Sequence, residues 1–240
     1  MFDFTYRSYE ALLRFVRDDL GRPIVPLRDA PADGPCVILR HDIDCSLPKA
    51  LAMARLEHRL GVRASYFVLL TSEYYNLMMP ANRAIVREIA AMEHEIGLHY
   101  DTTDLPGDTP DAQAGIVVRQ ARFLEEYVGR PVVSVAQHNP SLTAVRLSIP
   151  GYVDAYAPRF FKEIGYLSDS RRIFGAPDLQ QFFRTHARSQ LLIHPLWYHD
   201  RSLGRREAFD AIRAEADGAV SRYLDAMAAE MDEYELRLSR

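Results

Sequence analysis

Cysteine is scarce in this chain. Two residues in 240, Cys36 and Cys45, are too few for a disulfide-stapled fold, and their spacing does not suit a metal. Free thiols in a reducing compartment are the expectation. No stretch approaches the roughly 20 consecutive apolar residues of a membrane helix, which excludes an integral membrane segment of that kind. Charge of one sign is not in excess either. Lys and Arg number 29 and Asp and Glu 33, a net −4, so the basic field of a nucleic-acid binder is missing. Internal repeats and low-complexity tracts are absent, which argues against a solenoid or a linker. The opening residues, Met-Phe-Asp-Phe-Thr-Tyr-Arg-Ser, carry an early acid and no apolar run, so they do not read as a secretory signal. The expected location is the cytoplasm. That in turn excludes a mature cell-wall polymer as the immediate substrate.

What is present is ordinary for a globular enzyme: 48% hydrophobic and 26% charged residues, enough to bury one sizeable core. Apolar runs alternate with helical periodicity along the chain. Residues 5–20 predict an amphipathic helix through Tyr9, Leu12, Leu13 and Val16, stopped by Gly21. A proline-rich surface crossing follows. Strand 36–41 and helix 47–60 come next, then strand 64–70 and helix 81–93. Between them, residues 73–80 with Tyr74, Tyr75, Met78 and Met79 read as core filler in preference to a flap. His94–Asp101 reads as another strand. Helix 111–128, a strand at 132–136, a short strand end at 166–169, a helix near 178–187 and a strand at 190–194 complete the pattern. Residues 142–165 resist assignment. Helix 205–236 closes the chain, with a break expected at Gly218 and a solvated charged face. Alternating strands and helices predict a parallel sheet with helices outside, either barrel or doubly wound.

The chemistry gathers at strand ends. In Val37–Ser46 an apolar run gives way to Arg-His-Asp-Ile-Asp-Cys-Ser. Asp42 and Asp44 lie two apart, so in an extended chain both carboxylates point to one side. Ser46 suits an N-cap and Pro48 the first turn of the next helix. His99 and Asp101, His138, Asp169 and His194 end the later strands. In parallel sheets functional groups collect at the carboxyl ends of strands. Carboxylate with imidazole suits zinc or a similar ion. His41, His58, His94, His186 and His199 end no apolar strand and read as satisfied core or surface residues.

Asp42-Ile-Asp44, Gly61-Val-Arg-Ala-Ser-Tyr-Phe, His94-Glu-Ile-Gly-Leu-His99 and Leu191-Leu-Ile-His194, in that order, resemble the polysaccharide deacetylase superfamily, the NodB-homology group of carbohydrate esterases. The similarity runs over about 36–197 and is nearest a branch whose first motif reads His-Asp-x-Asp. It implies an α/β fold: a distorted (β/α) barrel of seven parallel strands with outer helices. The whole chain, 1–240, is then one domain with its terminal helices packed outside. The resemblance implies Asp42 as general base, Asp44 and His99 as metal ligands, His194 as general acid, and Asp169 as the group that tunes His194. The family's second metal-binding histidine falls at Thr103 here. His138 is the first choice for the third ligand. Asp101 is the alternative ligand, and Asn139 and Asp169 are further candidates for ligation or support. The family's Arg-Pro-Pro motif is replaced by Gln137-His138-Asn139-Pro140, which leaves open what orients Asp42.

The implied activity is metal-dependent hydrolysis of an N-acetyl or N-formyl group on an amino sugar, with one divalent ion, zinc first. The substrate is a small nucleotide-activated or lipid-linked precursor in surface-glycan biosynthesis. Two other readings stand beside it: a carbohydrate-binding barrel that has lost its metal, and a hydrolase of a non-sugar amide.

Overall fold

The computed structural model describes residues 2–238 other than Asp104, Leu142, Ala144 and Pro177, with backbone only at 235, 236 and 238. Its contacts divide it into Met1–Ser202 and Leu203–Arg240. The first unit is built on β2, Cys36–Ile43, whose eight residues are all buried. The strand runs two residues further than the apolar run predicts. Arg40 and Asp42 stay inside it because they neutralise one another there.

Strands β3 (Ser65–Leu69), β4 (Glu95–Tyr100), β5 (Ser134–Gln137), β6 (Val153–Asp154), β7 (Gly165–Ser168) and β8 (Arg188–Ile193) complete a parallel path ordered β6-β5-β4-β3-β2-β8-β7. The short β1 (Ile24–Val25) pairs beside the lower half of β2. Seven parallel strands therefore curl into an open, distorted barrel with helices around it. Among the described residues no pairing joins β6 to β7. Tyr156, Phe161 and Tyr166 stack edge to face on that side. β6 and the one-turn α5 (Pro158–Phe161) occupy the stretch the sequence leaves unassigned. Two and four residues are too few to show a period.

Alternation sorts the strand residues. Cys36, Ile38, Phe67 and Ala136 pack inside with Leu27, Ala155 and Phe160. The bottom of the barrel is polar. Buried Glu95 accepts from Ser65 Oγ (2.6 Å), from the Arg28 backbone N–H (3.0 Å) and from Ser134 Oγ. Those donors compensate an acid that would otherwise be costly to bury.

The outward residues of the strands meet the helices α1 (Tyr6–Arg14), α2 (Leu47–Arg59), α3 (Pro80–Ala91) and α4 (Pro110–Val128). α1 continues as a π turn over Phe15–Asp19 before Gly21. α2 starts where its sequence predicts, with Ser46 Oγ accepting from Lys49 N at 3.2 Å and Pro48 in the first turn. Between β2 and α2, Glu57 takes His41 Nε2 (2.7 Å), Tyr9 OH (2.6 Å) and Tyr66 OH (2.8 Å). His94 lies beside it, its Nδ1 accepting from Ala64 N and its Nε2 donating to Ala54 O. His94 is thus a satisfied core residue, and His41 is a core residue held through Nε2, its buried Nδ1 without a partner. α6 (Leu179–Thr185) precedes β8.

The second unit is α7, Arg205–Leu238. It runs unbroken through Gly218, so the expected break is absent. A single helix-interior glycine costs only about 1 kcal/mol.

Candidate metal centre and its flanking acid–base groups

All strands being parallel, their carboxyl ends share one face, and the loops leaving them carry Asp44, His99, His138, Asp169 and His194 to it. Arg40 and Asp42 point to the same interior side of β2 by the period of two.

Asp44 sits one residue past β2, His99 on the last turn of pleat in β4 and His138 one residue past β5. One ligand atom from each lies within 4.8 Å of the others. Asp44 Oδ1 is 3.5 Å from His99 Nε2 and 3.4 Å from His138 Nδ1, and the two imidazole nitrogens are 3.1 Å apart. Ligand bonds of about 2 Å at tetrahedral angles put donor atoms about 3.3 Å from one another. The buried Asp44 Oδ1 has no well-formed hydrogen bond. A carboxylate oxygen left bare between two imidazoles suits a cation, and the donor set of one carboxylate and two imidazoles suits a zinc-like ion.

The candidate ligands are held from behind. His99 Nδ1 donates to Ala136 O at 2.8 Å, which fixes the tautomer that bares Nε2. His138 N–H donates to Tyr100 O at 2.7 Å. Its Nε2 accepts from Asn139 Nδ2 at 2.8 Å as the amide is placed, with Asn139 at a left-handed φ of +42°. Turned so that Oδ1 faces the ring, that amide accepts the Nε2 proton and frees Nδ1. Burial would raise the Asp44 pKa. The imidazoles of His138, His99 and His194 outweigh it and hold the carboxyl far below its usual range.

Asp42 is beside the cluster, its Oδ2 3.5 Å from His99 Nε2. Arg40 answers what orients it. Nε donates to Asp42 Oδ1 at 2.8 Å and an η nitrogen to Oδ2 at 2.7 Å, a two-pronged clamp with both residues buried. The guanidinium lies 4.5 Å from the Tyr156 ring centre and 5.3 Å from that of Phe67, and it also donates to Tyr156 OH. Phe67 can lie across the barrel only because residue 97 is glycine. A Cβ there would come within 2.4 Å of its ring. Burial opposes ionisation of Asp42, but Arg40 and His99 pull its pKa down. Neither Arg40 nor Tyr156 is among the site residues expected from the sequence. Arg40 had a signal, since it precedes Asp42 by the same two-residue step that pairs Asp42 with Asp44.

On the other side His194 Nδ1 meets Asp169 Oδ1 at 2.6 Å, and the His194 backbone N–H donates to both Asp169 oxygens. His194 Nε2 is left facing Asp44 Oδ2 at 3.9 Å. Burial disfavours the imidazolium, but Asp169, Asp44 and Asp42 push the His194 pKa up to about 9. Asp169, fully buried, is raised by that burial in spite of His194.

Asp101 is elsewhere. Its Oδ1 is taken by Thr103 N (2.8 Å) and Thr103 Oγ1 (2.7 Å), and it is not in the cluster. Residues 73–80 depart from the core-filler expectation: only Leu77 is buried, and Tyr74, Met78 and Met79 are exposed.

No protein-family model and no curated protein sequence matches the chain. Solved structures do. A CE4 family pseudoenzyme from Bacillus anthracis is 15% identical over 79% of this chain, with a TM-score of 0.46. The chain spans a little under two thirds of that protein, 63% of its length. The chitin deacetylase from the fungal pathogen Colletotrichum lindemuthianum is 17% identical, covering 82% of this chain and 87% of its own, at 0.48. The peptidoglycan deacetylase PdaC from Bacillus subtilis is 12% identical, covering 87% and 98%, at 0.45.

Proposed function

We propose that this chain is a divergent member of the polysaccharide deacetylase superfamily and a metal-dependent N-deacylase of an amino sugar. The observation that carries the reading is the bare Asp44 Oδ1 between His99 Nε2 and His138 Nδ1, flanked by a carboxylate on an arginine and a histidine on a carboxylate. A zinc-like ion held by Asp44, His99 and His138 supplies Lewis acidity and a water of lowered pKa.

The chain's own groups do the rest. Asp42 is ionised at any working pH, and the Arg40 clamp leaves a lone pair free on each of its oxygens. It takes the proton from the water that attacks the acyl carbon. His194 enters the reaction as the acid, because Asp169 on Nδ1 favours the protonated ring. As the tetrahedral intermediate collapses and the C–N bond breaks, Nε2 gives its proton to the leaving amine. Asp169 holds the ring and stabilises its charge, so that acid and base have separate environments.

The substrate in this reading is a precursor of a surface glycan, nucleotide-activated or lipid-linked, met in the cytoplasm and bearing an acetyl or formyl amide. The metal-free binding barrel is disfavoured by Asp44, since a binding protein has no use for a buried carboxylate oxygen left without a donor. A non-sugar amide remains the other enzymatic reading, because the groups described act on the amide alone. Two measurements test the proposal: elemental analysis of protein purified without chelator, and turnover on a panel of N-acetyl and N-formyl amino sugars. About one zinc-like ion per chain and hydrolysis of a panel member are expected. No metal, and no uptake of added zinc, overturns it.

A further inference from the structure

The loop from β3 to α3 is tied to the strand end that carries the metal carboxylate. Ser72 Oγ donates to the Asp44 backbone carbonyl at 2.7 Å. Tyr75 OH donates to Ile43 O at 2.7 Å and accepts from Leu69 N at 2.9 Å. Leu77 is buried beneath it. A loop held at three points beside Asp44 nevertheless presents Tyr74, Met78 and Met79 to solvent, 52%, 55% and 44% exposed. Ile173 and Val145, on the loops that leave β7 and β5 at the same face, are 64% and 36% exposed. Exposed apolar side chains on a loop anchored beside a site are surface that a ligand of the site can cover.

The charge of this loop narrows the occupant. Between Arg63 and Arg83 the chain has no cation, and its one charged residue is Glu73. A diphosphate would meet no side-chain cation on this loop, and Glu73 would repel it. A hydrocarbon chain would meet a ring and two thioethers, side chains that adapt to an irregular apolar surface.

We infer that the substrate is an amino sugar carried on a hydrocarbon chain, whose first carbons lie over Tyr74, Met78 and Met79 while the acylamino group sits at the cluster. This rests on the deacylase reading and chooses the lipid-linked precursor over the nucleotide-activated one. Each methylene moved from water into such contact strengthens binding about fourfold, so partial cover of an eight-carbon chain is worth on the order of 10- to 100-fold.

The test compares the octyl and methyl glycosides of N-acetylglucosamine, both below the concentration at which the octyl compound forms micelles. Affinity by calorimetry and kcat/KM are read for the full chain and for the triple variant Tyr74→Ser, Met78→Ser, Met79→Ser. The variant changes only exposed side chains, and Met79→Ser alone serves if the triple variant does not fold. The wild-type chain is expected to favour the octyl compound by 10- to 100-fold, and the ratio should fall toward one in the triple variant, partway in the single. Equal handling of the two by the wild-type chain overturns the inference and leaves the deacylase reading intact. So does an octyl preference that survives in the variant. Sedimentation with phosphatidylcholine–phosphatidylglycerol vesicles, without an octyl preference, makes the surface a bilayer contact and also overturns it. Failure to bind or hydrolyse either glycoside, with no turnover on any amide of the wider panel, removes the deacylase reading and the inference together.

Discussion

Removal of the Arg40 guanidinium is the sharpest perturbation this site allows. Arg40→Met keeps most of the side chain's length between Phe67 and Tyr156 but leaves Asp42, 2% exposed, without its two donors. Breaking one half of a buried ion pair costs about 3–5 kcal/mol. Asp42 keeps no other donor of comparable geometry, and the low end, about 3 kcal/mol, is taken as the conservative expectation. At about 2–4 °C per kcal/mol for a domain of this size, melting falls by ~6–12 °C. Urea unfolding of chelator-treated protein reads the same quantity free of metal linkage. The companion variant Arg40→Met/Asp42→Leu removes both charges, and it should be at least ~1 kcal/mol more stable than Arg40→Met alone, because no unpaired carboxylate remains. Arg40→Lys should fall between, since an ammonium cannot reproduce the fork. A cost below ~1 kcal/mol for Arg40→Met, or a double variant less stable than the single, refutes the clamp.

The two aspartates should part company on mutation. Asp44→Asn is expected to empty the metal site, whereas Asp42→Asn keeps the metal and loses on the order of 10²–10⁴-fold in turnover, read by metal content and rate side by side. His138→Ala should weaken metal affinity by at least 10–100-fold in a chelator competition, and Asp101→Ala, whose carboxylate serves Thr103, should do so far less; the reverse order moves the third ligand to Asp101. The outer polar network predicts acid lability. Burial lowers the His94 pKa below 6.5, so the unfolded chain takes up that proton first and stability is lost as pH falls through this range. Glu57, buried but held ionised by His41, keeps its contribution above about 4.5 and loses it below. His94→Gln, whose amide can span the same Ala64 N and Ala54 O, should flatten the decline of melting temperature between pH 7 and 5 in chelated protein; an unchanged slope removes His94 as the group responsible.

The strands that carry the site were legible because each is an apolar run stopped by polar groups. His99, His138 and His194 stand at those stops, and the structure brings them around Asp44. The gap at Thr103 was legible only through the resemblance, which puts a histidine four residues past His99; in the structure β4 ends at Tyr100 and Thr103 is exposed. What escaped lay below the length of any period or inside an apolar run. β6 and α5 are too short to repeat. Arg40 was masked by the hydrophobic strand around it, since a charge in such a run reads as its end, not as half of a buried pair. The Met-rich loop misled by composition, because methionine and tyrosine describe a core and a hydrocarbon contact equally well.

Arg40 and Asp42 stand a two-residue step apart inside β2, and Asp44 follows two residues on, in the bend just past the strand's end. Clamp and proposed base are therefore spaced by strand geometry, about 6.6 Å apart, and the proposed ligand follows at the strand's end. Gain or loss of one residue between 40 and 44 would turn part of the set to the outer face. No insertion is tolerable in those five positions. The loops at 101–109 and 138–152 are under no such constraint and are free to change length, provided His138 keeps its place at the end of β5. A lineage built on this chain should show its indels there, and the Arg-x-Asp-x-Asp stretch should pass between sequences as a unit of fixed length.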